Sequence, residues 1–400
     1  MSYFVHNDQS GAPSAPATGK SMLYTQTGGR LHCINASGCD YLVGGSAPWN
    51  VIRNSGFWFA QRQAPGSATT YSSTAGRAIT ADGWGLGNSN ASATYQRIDT
   101  SAAPLAGFPG RFYGQFGKIT SNGKLAITQA IEGSECESLR GRNVRLTIQA
   151  WADSATQWQL GLLSLGVGGS IDVMPATFIS NYNGAGTDPS LGTALSYVAP
   201  TAGRTGDNCT AATNSYSCNL TTTPQRFSGV FTVPTTAFNL IPIIYSNGLI
   251  TAASGLLNLA EVMLTDSEEI YEYTNLGMAC EFQRVARFYQ KSFALDTLPA
   301  QNVGANTGED HFPSPVAGAT AFSGIGVQFL TRMFKAGVTL TLYNPAAANA
   351  QIRNVTLGTD CTGSTITANS ETGFWVNATA PTSTVAGNNL AVHWTVDSEL

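Results

Sequence analysis

The chain of 400 residues has only 11% charged residues, 43 glycines and a formal net charge of −4. Its 20 Lys and Arg are thinly spread with no basic run, which disfavours a nucleic-acid partner. No window approaches the roughly 20 apolar residues that a membrane-spanning helix needs, so no membrane insertion is expected.

Abundant Ser, Thr, Asn and Gly with little charge point to a mainly β protein rich in turns, because these residues serve turns and exposed strand faces and are poor in helix interiors. At roughly 100–200 residues per domain, the length calls for more than one core. Residues 1–17 are polar, rich in small residues and Pro, and without apolar period, as expected of an extended docking arm or a loose tail. Residues 18–47 read as a short β meander with turns at Thr27–Gly29 and Asn35–Gly38. So small a meander buries no core alone and gains one by oligomerising.

Residues 48–273 read as one central jelly-roll β-sandwich. Strands are expected at Gly56–Gln61, Gly83–Gly85 with Ala93–Ile98, Phe112–Ile119, Ala126–Glu132, Val144–Ala152, Trp158–Val167, Ala176–Ile179, Arg226–Val233, Leu240–Tyr245 and Leu256–Leu264. The clearest is Val144–Ala152, where Val144, Leu146, Ile148 and Ala150 alternate with Arg145, Thr147, Gln149 and Trp151. Loops are expected at Gly184–Leu191 and Thr201–Asn214. Residues 274–295 carry one short linking helix, Leu276–Leu295, with Met278, Phe282, Val285 and Tyr289 at helical spacing and Asn275 placed to cap it. Residues 296–400 then give a C-terminal β-sandwich domain with strands at Phe322–Phe334, Val338–Tyr343, Ile352–Leu357, Thr365–Thr367, Gly373–Asn377 and Leu390–Val396.

Seven cysteines, Cys33, Cys39, Cys136, Cys209, Cys218, Cys280 and Cys361, include no Cys-x-x-Cys, and the four histidines His6, His32, His311 and His393 lack metal-binding spacing. No metal or other cofactor is expected. The N-terminus lacks a secretory pattern, so a cytoplasmic origin and reduced thiols are expected, with Cys209–Cys218 and Cys33–Cys39 the pairs close enough in sequence to bridge. Phosphate-binding loops and nucleophile elbows are absent. Glu132, Glu135 and Glu137 cluster near one turn beside Arg140 and Arg142, where solvated ion pairing is the ordinary outcome. Asp82, Asp153, Asp172 and Glu261 are scattered over other strands, and nothing isolates a pair of the kind that hydrolyses glycosides.

Aromatic residues are the better candidates. Trp84, Tyr95, Trp151, Trp158 and Tyr182 lie among the central strands and loops, and flat rings exposed on a rigid sheet stack on the apolar C–H faces of sugars. Core or inter-subunit packing is the competing use of the same rings. Trp151, opposite in face to Val144, Leu146 and Ile148, is expected to meet a sugar or a neighbouring subunit.

Several stretches carry a resemblance to a known family. Thr18-Gly-Lys-Ser-Met-Leu-Tyr-Thr with Asn35-Ala-Ser-Gly, Asn54-Ser-Gly-Phe-Trp-Phe-Ala-Gln-Arg with Ala81-Asp-Gly-Trp, Leu139-Arg-Gly-Arg-Asn-Val-Arg-Leu, Cys280-Glu-Phe-Gln-Arg-Val-Ala-Arg and the ending His393-Trp-Thr-Val-Asp-Ser-Glu-Leu resemble tailed-bacteriophage fibre and spike proteins that carry a carbohydrate-binding-module-like jelly roll. The resemblance implies a non-enzymatic, homotrimeric virion appendage made in the host cytoplasm. It would dock to other virion proteins through residues 1–17 and adsorb to host-surface polysaccharide. It transfers no sugar-binding residue. A structural decoration or adaptor, and a polysaccharide-degrading enzyme, stand as alternatives.

Overall fold

The computed structural model describes residues 14, 17, 20–26, 30–35, 40–42, 49–64, 66–118, 123–203, 206–250, 256–304 and 307–400. Most of the expected docking arm, the two meander turns and Cys39 lie outside these residues. The chain divides into two compact units. The first comprises Met1–Trp58, Ala68–Thr80 and Trp84–Leu276; the second comprises Phe59–Ser67, Ala81–Gly83 and Gly277–Leu400. The mainly β, antiparallel character read from the sequence is present in both, with two helices rather than one among the described residues.

In the first unit, β1 (Ser21–Gln26), β2 (Arg30–Asn35) and β3 (Asp40–Leu42) pair as an antiparallel meander. There follow β4 (Thr69–Ile79), β5 (Gly85–Asp99), β6 (Phe112–Lys118), β7 (Leu125–Thr128), the short helix α1 (Gly133–Glu137), β8 (Asn143–Ala152) and β9 (Thr156–Leu165). Then come β10 (Ile179–Asn181), β11 (Ser190–Leu191), β12 (Leu195–Tyr197), β13 (Cys209–Ala211), β14 (Ser215–Leu220), β15 (Gln225–Thr232), β16 (Asn239–Ser246) and β17 (Leu257–Thr265).

The long strand β5 organises the sandwich. Its first part, Gly85–Asn88, pairs with β7, and its second part, Ala93–Asp99, pairs with β6. Two sheets therefore diverge from it: β5–β6–β17–β8–β15 on one side and β5–β7–β16–β9–β14–β13 on the other. Alternation decides which residues meet between them. Leu146, Ile148, Leu257 and Leu259 come from the first sheet and Leu160, Leu162, Tyr216 and Ile244 from the second, all fully or almost fully buried. Each such side chain contributes about 1.5–3 kcal/mol by burial. Gly229 of β15 lies under the Tyr216 ring of β14, where any side chain would overlap the ring.

The second unit contains α2 (Met278–Ala286), β18 (Tyr289–Lys291), β19 (Asp310–Pro313), β20 (Ala321–Gln328), β21 (Thr339–Tyr343), β22 (Arg353–Asn354), β23 (Thr359–Asp360), β24 (Thr362–Thr367), β25 (Gly373–Thr379) and β26 (Asn389–Asp397). One sheet gathers β18, β19, β21 and β22 around β26, and the other has the order β20–β25–β24. Phe374 and Val376 pack in one core with Leu390, Val392, Trp394 and Val396. Within this unit Arg62 bonds Asp82 at 3.1 Å and Asp397 at 2.8 Å, tying two short chain segments to the C-terminal strand.

Several expected elements differ. Gly56–Gln61 is turn and irregular chain rather than strand, with Asn54 at φ 48° and Phe57 at φ 55°, values that extended backbone does not adopt. Of the expected pieces Gly83–Gly85 and Ala93–Ile98, only Gly85 of the first and all of the second belong to the long strand β5, and its partner β4 is a strand the composition hid, being built mostly of small residues. Helix α2 is shorter than expected, its N-cap is Gly277 at φ 82° rather than Asn275, and Tyr289 leaves the helical spacing to pair with β26. Ladder hydrogen bonds there override local periodicity.

Cys209 and Cys218 form a disulfide, against the expectation of reduced thiols. They stand directly opposite each other in the β13–β14 pair, with Cα atoms 4.7 Å apart, a register that compartment reasoning does not reveal.

Candidate functional site

Side chains directly opposite each other on neighbouring strands share a face. Across the first sheet, Gln96 of β5 stands opposite Gln115 of β6, Gln115 opposite Asn258 of β17, and Asn258 opposite Trp151 of β8. This row lies on the outer face, since its strand neighbours Tyr95, Phe116, Leu257, Leu259 and Ala150 point into the sandwich. Gln115 Nε2 donates to Asn258 Oδ1 at 3.0 Å, which fixes the two amides relative to each other.

An aromatic cluster borders the row. Tyr113 meets Trp151 edge-on at 4.7 Å between ring centroids, and Phe108 lies 5.4 Å from Trp151. Leu105 and Ala260 complete the cluster. Phe108 comes from the loop between β5 and β6, and Gln149 of β8 holds that loop down by donating to Gly107 O at 3.0 Å.

A bulge in β17 supplies the charged part. The pairing with β8 shifts between Ala260 and Met263, and Glu261 takes φ 48°, a left-handed conformation uncommon for a residue with a Cβ. Gly110 packs between Phe108 and Glu261, and a Cβ there would fall 3.2 Å from Glu261 Oε1. Burial pushes the Glu261 carboxyl up to about 7, Arg226 opposing and Glu272 adding to the rise. Arg226 Nη2 itself donates to Glu272 Oε2 at 2.7 Å. At neutral pH the site thus combines aligned carboxamides, ring edges and a carboxyl poised between its two protonation states. Carboxamides donate and accept at once, as sugar hydroxyls do.

The five rings singled out in the sequence are all buried, at no more than 8% exposure. None presents the open face that stacking on a sugar requires. Trp84 stacks on Phe57 at 5.2 Å and donates to Asn54 O, and Tyr95 lies against Phe116 at 4.9 Å. Trp158 faces the sandwich interior from β9, opposite Cys218. Tyr182 is buried after β10, and burial pushes its phenol up. Trp151 alone joins the row, and what it meets is this chain's own Phe108 and Tyr113 rather than an exposed sugar position. The packing use of these rings is the one the geometry shows.

Gln96, Tyr113, Gln115, Asn258 and Glu261 were not distinguished as binding residues by the sequence. The available signal was an amide set between apolar neighbours, as in Leu257-Asn258-Leu259, since such a residue points away from the core its neighbours build. The cross-strand register that aligns them has no local signature.

The other candidate groups serve structure. Glu132 is buried and stands at the N-cap of α1, a helix where a strand end and loop were expected. Glu137 pairs with Arg140 at 3.8 Å, while Arg142 pairs with Asp266 at 3.4 Å instead of with the cluster. Asp172 accepts from Gly133 N at 2.8 Å and Asn239 Nδ2 at 2.6 Å. His393 is buried against Phe293, with its ring nitrogens within 2.9 Å of Ser292 Oγ and 2.8 Å of Thr307 Oγ1. Among the described residues, no group of three or more His, Cys, Asp or Glu is placed to hold a metal ion.

These features define a mainly β, antiparallel sandwich protein with a polar row on one outer face. No protein-family profile matches the chain, and no curated protein sequence matches it. Among solved structures it is similar to the enzymatically active domain of bacteriophage CBA120 tailspike protein 4, at 12% identity and a TM-score of 0.29, over 54% of this chain and 21% of that one. It is also similar to TmCBM61 in complex with beta-1,4-galactotriose, at 8% identity and a TM-score of 0.29, over 55% of this chain and 99% of that one. A third is the CBM22-1–GH10 portion of Clostridium thermocellum xylanase 10B complexed with xylohexaose, at 10% identity and a TM-score of 0.30, over 60% of this chain and 32% of that one. The chain spans about a fifth of the tailspike domain it matches.

Proposed function

We propose that the first unit is a non-enzymatic glycan-binding sandwich and that the chain serves as a bacteriophage fibre or spike protein adsorbing to host-surface polysaccharide. The observation that carries the binding role is the pair of partly exposed carboxamides Gln96 and Gln115 facing each other on the outer face, with Gln115 oriented by its 3.0 Å hydrogen bond to the buried Asn258 beneath the packed Trp151. A pre-arranged set of carboxamides beside ring edges matches alternating hydroxyls and C–H faces along a saccharide. The virion role is supported by the fibre-like stretches of the sequence, and attachment through residues 1–17 follows from the same resemblance. A homotrimer is favoured by the size of the β1–β3 meander, too small to bury a core alone. Three copies would multiply weak, shallow sites by avidity.

The test is adsorption of the purified full chain to host cells and to their extracted surface glycan, with light scattering on the same sample. Trimers that bind both support the reading. Trimers that bind neither would support the structural decoration role, which the burial of all five predicted rings also suits. Release of reducing ends from the glycan would point to an enzyme.

A further inference from the structure

A groove of about 350 Å³ in the second unit is lined by Arg287, Arg332, Met333, Phe334, Lys335 and Glu371. This lies within the roughly 300–1,000 Å³ of small-molecule sites. The chain has only 20 Lys and Arg, and seven of them, Arg62, Arg284, Arg287, Lys291, Arg332, Lys335 and Arg353, fall in this unit. Four of them serve contacts away from the groove. Arg62 pairs with Asp82 and Asp397, Arg284 with Glu281 and Arg353 with Asp360, while Lys291 donates to the carbonyls of Gln61, Leu295 and Thr297. The other three have contacts of their own, Arg332 with Glu371 and Lys335 Nζ with Glu399 O at 3.4 Å among them, and all three line this one groove, where Glu371 is the sole carboxylate among the described lining residues. The formal charges of these lining residues sum to +2 in a chain whose net charge is −4.

The groove is also built to hold more than an ion. Phe334 is partly exposed, stacks on the buried Phe288 at 4.9 Å, and has the Arg287 guanidinium 5.7 Å from its ring. Buried Met333 adds apolar surface. Arg332 Nη2 donates to Glu371 Oε1 at 2.6 Å, so the guanidinium is held at the groove by a carboxylate that can itself accept from a hydroxyl. Guanidinium forks match carboxylates bidentately, an aromatic ring takes the C–H face of a sugar, and a carboxylate takes its hydroxyls.

We infer that this groove binds a carboxylate-bearing sugar of an acidic polysaccharide, as a second saccharide site separate from the amide row of the first unit. The site goes beyond the proposed adsorption role and does not depend on it.

The experiment is titration calorimetry of the full chain with trigalacturonate, with its methyl ester and with inorganic phosphate, at 20 and 300 mM salt. The inference expects trigalacturonate to bind, to weaken at least tenfold on esterification and to weaken with salt. Arg332→Ala with Lys335→Ala, both exposed, should lower that affinity at least tenfold while leaving the melting temperature unchanged. Asn258→Ala in the amide row should leave it unchanged, which separates this site from the first. Equal binding of the methyl ester, or no binding of trigalacturonate, would overturn the inference. Phosphate binding as tight as trigalacturonate would replace it with a plain anion site.

Discussion

Gln115 and Asn258 face each other across β6 and β17 and share a 3.0 Å hydrogen bond on the outer face of the sandwich, while their strand neighbours Phe116 and Leu257 are fully buried on the inner face. One alternation thus builds both the core and the polar row. The row is held by a rigid sheet rather than by a loop, which favours precise placement of its amides.

A buried ion pair lies on the same outer face of that sheet, further along β8. Arg145 of β8 and Asp207 are both almost fully buried and bonded to each other, and Ser228 Oγ donates to Asp207 Oδ1 at 2.8 Å. Asp207→Ala leaves the guanidinium buried without its counter-charge. It should destabilise the first unit by about 3–5 kcal/mol, measured by urea unfolding. Removing both charges together, with Arg145→Met and Asp207→Ala, should cost less than the sum of the two single changes.

Glu261 makes the first unit less stable at alkaline pH. Its folded carboxyl sits at about 7 against an ordinary value of 4.5. Between those two values the folded chain keeps a proton that the unfolded chain has lost, so stability falls as pH rises from about 4.5 through 7. The effect levels off above pH 8, after a loss of up to roughly 3 kcal/mol. In Glu261→Gln that slope should disappear, and the melting temperature at pH 8 should exceed wild type while matching it at pH 4.5.

His393 gives the opposite dependence in the second unit. Burial lowers its imidazole to about 4 from 6.5, with Glu309 opposing and His311 adding to the drop. The unfolded chain takes up a proton below about 6.5 that the folded chain refuses until about 4, so this stability is lost as pH falls through that window. Proton NMR should show the His393 ring neutral from pH 8 down to 5, with no titration of its signals.

Reduction of the Cys209–Cys218 disulfide should leave the fold intact, because the β13–β14 pairing and the β14–β9 ladder remain. Closing so short a loop contributes roughly 2–3 kcal/mol in the chain-entropy account. Cys218→Ser should lower the denaturation midpoint of the first unit by a corresponding amount and leave glycan binding unchanged.

The sequence made legible those elements whose periodicity reflects the core. Val144–Ala152 and Leu256–Leu264 read as strands because apolar and outward residues alternate in the first and apolar residues run on in the second, and the structure has β8 and β17 there within a residue or so. It hid β4, a strand built mostly of Thr, Ser, Ala and Gly without a clear apolar period, and it overextended α2 because Tyr289 sits at helical spacing yet bonds to β26. The alternation places Trp151 on the outer face, but nothing in the sequence shows that Phe108, some forty residues earlier, folds over it. The amide row was illegible for the same reason: Gln96, Gln115, Trp151 and Asn258 are brought into line by the register of four strands, and register is decided by the whole sandwich.

Glycan binding by the amide row is tested most directly by comparing Gln115→Ala with Asn258→Ala against wild type in adsorption to extracted host-surface glycan, with melting temperatures taken alongside. Each substitution is expected to lower affinity about five- to tenfold, the loss of one or two hydrogen bonds, with melting changed by no more than a few degrees. Unchanged adsorption in both folded variants would contradict the assignment of the site to this face.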